Sequence, residues 1–189
     1  MIISIIAEPR SGSTNLTNWF FTDKDFTILF EPISNPNTKW YKNGIDPKDW
    51  SYQTKHLLVK EVFNDTSDFK NLIEISDKVI YLYRENETKQ MESYYNAVKT
   101  KNWHTVWAFK KNKLYISDDE ILFFKNLKNK FRENFLYNEK YLKVSYEDLY
   151  YNNKIQMVLD YIGDNKLIKD RFPYGEKYRI DVTDREKYI

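Results

Sequence analysis

Residues 2–14 read Ile2-Ile3-Ser4-Ile5-Ile6-Ala7-Glu8-Pro9-Arg10-Ser11-Gly12-Ser13-Thr14. The apolar, largely β-branched run 2–7 stops at Glu8-Pro9, crosses turn-forming residues and enters a helical stretch over 16–21. Strand, tight loop and helix in that order open an α/β fold. Against the phosphate-loop pattern G-x-x-x-x-G-K-[ST], residues 7–14 keep Gly12 and Thr14, but Ala7 and Ser13 stand where the first Gly and the Lys belong. Consecutive backbone N–H groups in such a loop cradle an anion, and Gly12 lets the main chain approach it closely. ATP or GTP hydrolysis needs a cation on the β- and γ-phosphates, so the missing Lys argues against that chemistry, while Arg10 restores one positive charge two residues before Gly12. Only six of the 30 basic residues are Arg. A planar, bidentate donor at this loop suits the orientation of phosphate-like oxygens, and the structural alternative is a solvated turn arginine.

Working outward, residues 26–30 read as a second strand that ends at Glu31-Pro32. The Asn-, Pro- and Lys-rich sequence that follows, to about residue 52, has no period and reads as a functional loop or lid. A third strand is expected over 56–62, a helix over 66–75 opened by Thr66 or Ser67, and a fourth strand over 78–83 whose apolar run fits burial on both faces. Residues 87–99 are helical. Ser117 with Glu120 three residues later forms a capping box ahead of Ile121, Phe124, Leu127, Phe131 and Phe135, which recur at helical spacing as a core-facing stripe. A short strand over 141–145 and a helix over 155–162 closed by Gly163 complete the pattern, and the tail beyond Phe172 is polar. The alternation predicts an α/β, P-loop-type, mostly parallel sheet of about four to five strands flanked by helices, with residues 1–189 as a single domain and the ligand at the C-terminal ends of the strands.

Composition sets the limits. At 189 residues and 23.1 kDa the chain suits one domain. Leu, Ile, Val and Phe make up about 27% of it, above the roughly 20% below which disorder is expected. Thirty Lys and Arg against 28 Asp and Glu leave a formal charge of +2, too small a surplus to argue for a nucleic-acid or anionic-membrane partner, so any anion site is local. With no Cys and two His, there is no disulfide framework, thiol nucleophile, zinc-thiolate centre or His-rich metal site. The N-terminal apolar run is too short to span a membrane and lacks the features of a signal peptide, which predicts a soluble, cytoplasmic protein.

Pro9-Arg10-Ser11-Gly12-Ser13-Thr14 directly after a first strand resembles the 5′-phosphosulfate loop of sulfotransferases that use 3′-phosphoadenosine 5′-phosphosulfate (PAPS). Tyr81-Leu82-Tyr83-Arg84, followed by Gln90 and Ser93-Tyr94-Tyr95, is similar to that family's 3′-phosphate motif, a strand ending in Arg and a helix carrying Ser. Val144-Ser145-Tyr146-Glu147-Asp148-Leu149, with Tyr161-Ile162-Gly163 after it, is similar to the family's late strand and following helix. Order and spacing extend the resemblance over residues 2–163, and Arg10 is closer to the carbohydrate and bacterial branches, where Arg replaces a more usual Lys. In two respects the chain departs from the commonest pattern: Glu85-Asn86 follow Arg84 in place of Asp-Pro, and Ser93 lies nine residues beyond Arg84 instead of eight. The resemblance implies PAPS as co-substrate, held by Arg10, Ser11, Gly12, Ser13, Thr14, Arg84 and Ser93. Independently of the family, a parallel strand ending at Arg84 sets its guanidinium at the ligand edge of the sheet, where a hydroxyl at Ser93 can join it on one phosphate.

Sulfuryl transfer to a hydroxyl needs in-line attack, stabilisation of charge on the leaving phosphate and a base for the acceptor proton. Arg10 and the loop amides meet the second need. Glu31, at a strand end before Pro32, is the favoured base, and its Glu-Pro pair resembles a family element for which a Glu base has been proposed. His104, Glu61 and His56 are rivals, since an imidazole needs little tuning to act near neutral pH. Lys60 stands near the end of the third strand, placed to offset transition-state charge or to form a Lys-Glu pair. Transfer of a singly charged sulfuryl group needs less neutralisation than a γ-phosphate, so no obligatory metal is expected. Trp40, Tyr41, Trp50, Tyr52, Trp103 and Trp107 either stack on an acceptor or adenine or seal a small core. The acceptor class stays open among small molecules, carbohydrates and peptides, with no nucleic acid or membrane as partner. Two other functions compete: a P-loop nucleotide kinase or phosphoryl transferase, and a non-catalytic nucleotide-binding module.

Overall fold

The computed structural model describes residues 1–18, 20, 25–34, 55–101, 103, 115–136 and 141–163. Among these, five strands form one sheet: β1 (Ile2–Ala7), β2 (Phe26–Phe30), β3 (His56–Val62), β4 (Lys78–Tyr83) and β5 (Leu142–Ser145), in the order β2-β3-β1-β4-β5, with every neighbouring pair parallel. The expected class, a parallel α/β sheet flanked by helices, is the one observed. β1 lies at the centre and is buried along nearly its whole length, which explains why its sequence is continuously apolar with no alternation. Its one polar residue, Ser4, is fully buried and satisfied by the Ser76 hydroxyl at 2.6 Å.

The helices are α1 (Ser13–Asn18), α2 (Lys70–Ile75), α3 (Glu87–Thr100), α4 (Asp118–Phe131), α5 (Tyr146–Tyr150) and α6 (Ile155–Ile162), and a π-helical turn, Arg132–Leu136, follows α4. Alternate strand residues face two cores. Ile3, Ile5, Leu58, Ile80 and Leu82 pack with Leu16, Val158 and Ile162 on one face of the sheet. Ile6, Val79 and Tyr81 pack with Phe63, Leu127, Phe131 and Phe135 on the other. Leu72 of α2 covers Leu57 and Val59 on that second face.

Local chemistry accounts for the helix ends. Ser117 and Glu120 make the capping box on α4 in both directions. α3 opens on Asn86, whose side chain accepts from the Lys89 amide, and closes on Lys101 in a left-handed conformation. α2 starts later than its sequence suggests. Asn64 takes the Thr66 amide and hydroxyl at 2.9 Å, and Ser67 turns back to accept the Asn64 amide at 3.0 Å, so those residues close a turn and do not open a helix. The stripe ending at Phe135 leaves regular α-helix after Phe131, and the wider π turn returns the Phe135 ring to within 5.0 Å of both Phe131 and Tyr81. No described helix is long and apolar enough to cross a membrane.

β2 and β3 lie to one side of β1, β4 and β5 to the other. The strand order therefore switches at β1, and the crevice outside the carboxyl ends of β1 and β4 is where an open parallel sheet binds its ligand.

Candidate functional site

The loop after β1 begins with the Glu8 amide, which extends the ladder by donating to the Leu82 carbonyl at 2.8 Å. The Ser11 hydroxyl folds back onto the Glu8 carbonyl at 2.7 Å and is buried there. Gly12 has φ +83, a conformation that favours glycine. A Cβ on it would lie 2.6 Å from the Tyr150 ring and 2.9 Å from that of Tyr146. The Tyr150 hydroxyl donates to the Gly12 carbonyl at 2.8 Å, so α5 braces the loop from behind. Ser13 and Thr14 begin α1, where a helix leaves its first N–H groups without internal acceptors.

Arg10 itself adopts φ +61, a non-glycine residue in the left-handed region, at a cost of order 1–3 kcal/mol. Its guanidinium is tied to α3 and to the chain beyond it: Nε donates to the Ser93 hydroxyl at 2.9 Å and Nη1 to the Trp103 carbonyl at 2.8 Å. The sequence suggested Ser93 beside Arg84. The fold links it to Arg10.

Arg84, directly after β4, is nine-tenths buried at its side chain, packs its guanidinium 4.3 Å from the Tyr146 ring centre and holds its Nε 3.9 Å from Glu147. That Nε makes no hydrogen bond among the described residues. Glu147 is itself engaged by the Glu85 and Asn86 amides at 2.9 and 3.1 Å. A buried guanidinium with a donor unspent at the carboxyl edge of a parallel sheet is suited to an anion.

Glu31 follows β2 with φ +54, and its amide donates to the Lys60 carbonyl at 2.6 Å. Its carboxylate pairs with the Lys60 ammonium, which is almost fully buried on β3. In register with Ile5, Lys60 shares the sheet face that α1 covers. Arg10 and Glu31 thus both sit in a strained backbone conformation at the same edge of the sheet. Glu61, on the opposite face, accepts from the Ile33 amide at 2.7 Å, the Ser34 amide at 3.0 Å and the Ser34 hydroxyl at 2.6 Å. Burial pushes its pKa up against those hydrogen bonds. It anchors the turn that carries Glu31.

His56 is the first residue of β3, at the amino end of the sheet, its ring centre 4.9 Å from that of Phe26 and tilted by 39°. The fold does not bring it to the loop. His104 lies outside the described residues, as do Trp40, Tyr41, Trp50, Tyr52, Trp107 and all but the first residues of the segment read as a lid.

Three residues to which the sequence assigned no role, Gln90 among them although it lies in the second motif, underlie both arginines. Glu8, Gln90 and Lys128 are 1, 0 and 3% exposed. Lys128 Nζ donates to the Arg84 carbonyl at 2.6 Å and to Gln90 Oε1 at 2.7 Å, and lies 3.5 Å from Glu8. Gln90 Nε2 donates to Glu8 at 2.9 Å and to the Pro9 carbonyl at 2.8 Å. Burial raises the pKa of Glu8 and lowers that of Lys128, each partly offset by the other's charge. The available signal was the phase of Lys128, which falls on the Phe124–Phe131 stripe of α4 where an apolar residue belongs. Among the described residues no group of three His, Asp or Glu side chains is gathered as a metal site.

No protein-family profile matches the chain, and no curated protein matches its sequence. Among solved structures with a similar fold is the mouse sulfotransferase SULT7A1 complexed with PAP, at a TM-score of 0.53 and 13% identity, over 93% of this chain and 61% of that one. The chain spans about three fifths of the length of that protein, and the likeness is one of fold.

Proposed function

We propose that the chain is a PAPS-dependent sulfotransferase that moves a sulfuryl group in line from PAPS to a hydroxyl, less often an amine, of a small-molecule, carbohydrate or peptide acceptor. The observation that carries this is the pair of arginines at one sheet edge: Arg10 in the loop after β1, and Arg84 after β4 with its Nε unspent in a buried setting. A mononucleotide with phosphate at both its 5′ and 3′ positions calls for two separate cationic sites, and a nucleoside triphosphate does not. The fold shared with a PAP-bound sulfotransferase supports the same ligand.

In this reading the amides of Gly12, Ser13 and Thr14, with Arg10, hold the 5′-phosphosulfate, with Ser11 shaping the loop, while Arg84 takes the 3′-phosphate. Ser93 orients Arg10. As the acceptor oxygen bonds to sulfur, the sulfur–oxygen bond to the 5′-phosphate breaks and Arg10 offsets the charge left on that phosphate. Glu31 takes the acceptor proton, and Lys60, its carboxylate partner neutralised, is left to balance the leaving group. The chemistry needs no metal, residues 1–189 act as one domain, and the reaction takes place in the cytoplasm.

Thermal shift separates this from phosphoryl transfer. Adenosine 3′,5′-bisphosphate is expected to raise the melting temperature, and ATP with magnesium is not. The reverse result overturns the proposal in favour of a nucleotide kinase. A screen with labelled PAPS then identifies the acceptor, and label in no acceptor despite tight bisphosphate binding points to a non-catalytic nucleotide-binding module.

A further inference from the structure

We infer that the buried Glu8–Gln90–Lys128 cluster is a positioning device that locks the β1 loop to the end of β4, so that the 5′ and 3′ phosphates of one nucleotide bind cooperatively; this rests on the roles assigned above to Arg10 and Arg84. The cluster touches the main chain at the points that aim those two side chains. Gln90 holds the Pro9 carbonyl, one residue before Arg10. Glu8 accepts from the Arg84 amide at 3.1 Å and Lys128 donates to the Arg84 carbonyl, so the backbone of Arg84 is gripped on both sides. Gln90 bridges the two halves, its amide nitrogen on Glu8 and its oxygen on Lys128. Arg132, from the π turn, adds a second cation 3.8 Å from Glu8.

An ion pair this deep is a poor device for stability alone, because apolar residues of similar volume commonly serve as well or better. Directional bonds to fixed backbone atoms instead specify one arrangement. β1, α3 and α4 meet here in a single register, and a shift of the loop against β4 would break the Arg84–Glu8, Gln90–Glu8 and Gln90–Pro9 hydrogen bonds together. Both sites are therefore held in one relative geometry, and a nucleotide anchored at one presents its second phosphate to the other.

The test compares dissociation constants for adenosine 3′,5′-bisphosphate and adenosine 5′-phosphate by calorimetry in four proteins: the parent, Gln90→Met, Lys128→Met, and Glu8→Gln combined with Lys128→Met. Gln90→Met leaves the Glu8–Lys128 pair intact, and the double variant removes both members of that pair, leaving only Arg132, whose side chain is 36% exposed and can turn to water, so a folded protein is available even if Lys128→Met alone fails to fold. The parent's preference for the bisphosphate is expected to fall by about tenfold or more in each folded variant, within the usual range of coupling between sites. Adding Arg84→Ala to Gln90→Met should then lower the preference by much less than Arg84→Ala does in the parent. A cluster that merely stabilises the fold would lower the melting temperature and leave the preference unmoved. A preference that survives within about twofold in Gln90→Met overturns the coupling alone. A parent with no preference for the bisphosphate overturns the nucleotide reading and the coupling with it.

Discussion

Arg84 and Glu31 show how a side chain's surroundings set what it can do. The Arg84 guanidinium is shielded from water by Tyr146 and only loosely balanced by Glu147 at 3.9 Å, so an added anion meets a charge that solvent has not already neutralised. Arg84→Ala is expected to weaken binding of adenosine 3′,5′-bisphosphate by about 1.5–3 kcal/mol, the usual worth of a charged hydrogen bond, with little change for adenosine 5′-phosphate. Equal losses for both in calorimetry would remove Arg84 from the 3′ site. Glu31 is already paired with Lys60, and Glu31→Gln removes its basic oxygen at constant size. The variant should lower kcat by about 10²–10⁴ with nucleotide affinity nearly unchanged. His104→Asn is the parallel measurement: full activity in Glu31→Gln together with loss in His104→Asn would exchange their roles.

Among the elements, the loop after β1 and α5, from Tyr146 to Tyr150, are one unit. Gly12 at φ +83 and the Tyr150 ring leave no room for a methyl group. Gly12→Ala is therefore expected to combine backbone strain with overpacking and to lower stability by about 1–3 kcal/mol. An unchanged denaturant midpoint would show that the loop relaxes freely. Glu120 makes a different, electrostatic contribution. The Ser117 amide, with help from Lys99, holds its pKa below the ordinary 4.5. A carboxylate whose folded pKa lies below its unfolded value adds stability above the unfolded pKa and loses it as pH falls through the folded one. Between about pH 5 and pH 3, Glu120→Gln should lose less melting temperature than the parent. Parallel acid limbs would exclude a charged role for Glu120.

For the whole molecule, strand order sets where stability lies. β3, β1 and β4 are paired on both sides, whereas β2 and β5 are the edges of the described sheet. Amides in β1, β3 and β4 are expected to exchange only by global unfolding, and those of β2 and β5 by cheaper local opening. Exchange in β2 as slow as in β1 would mean that β2 is not an edge in solution. The local opening of β2 matters because Glu31 follows directly from it, so the candidate base stands on the less stable half of the sheet and Arg10 and Arg84 on the more stable half.

The sequence by itself made the fold class and the five strands legible, but not the late start of α2, the π turn or α5. Runs such as Ile2–Ala7, His56–Val62 and Lys78–Tyr83, and the Ser117–Glu120 cap, act through neighbours a few residues away, so their outcome is written locally. It also placed Arg10, Glu31 and Arg84 at strand ends, since a strand's end can be read from where its apolar run stops. Which charged groups meet depends on the packing of distant elements. Ser93 went to Arg10 and not to Arg84, Glu31 found Lys60, and Glu8 found Gln90 from 82 positions away along with Lys128 from a later helix. Such pairings depend on strand order and on which face of a helix turns inward, and once buried they are enforced because a lone charge in that interior would cost several kcal/mol.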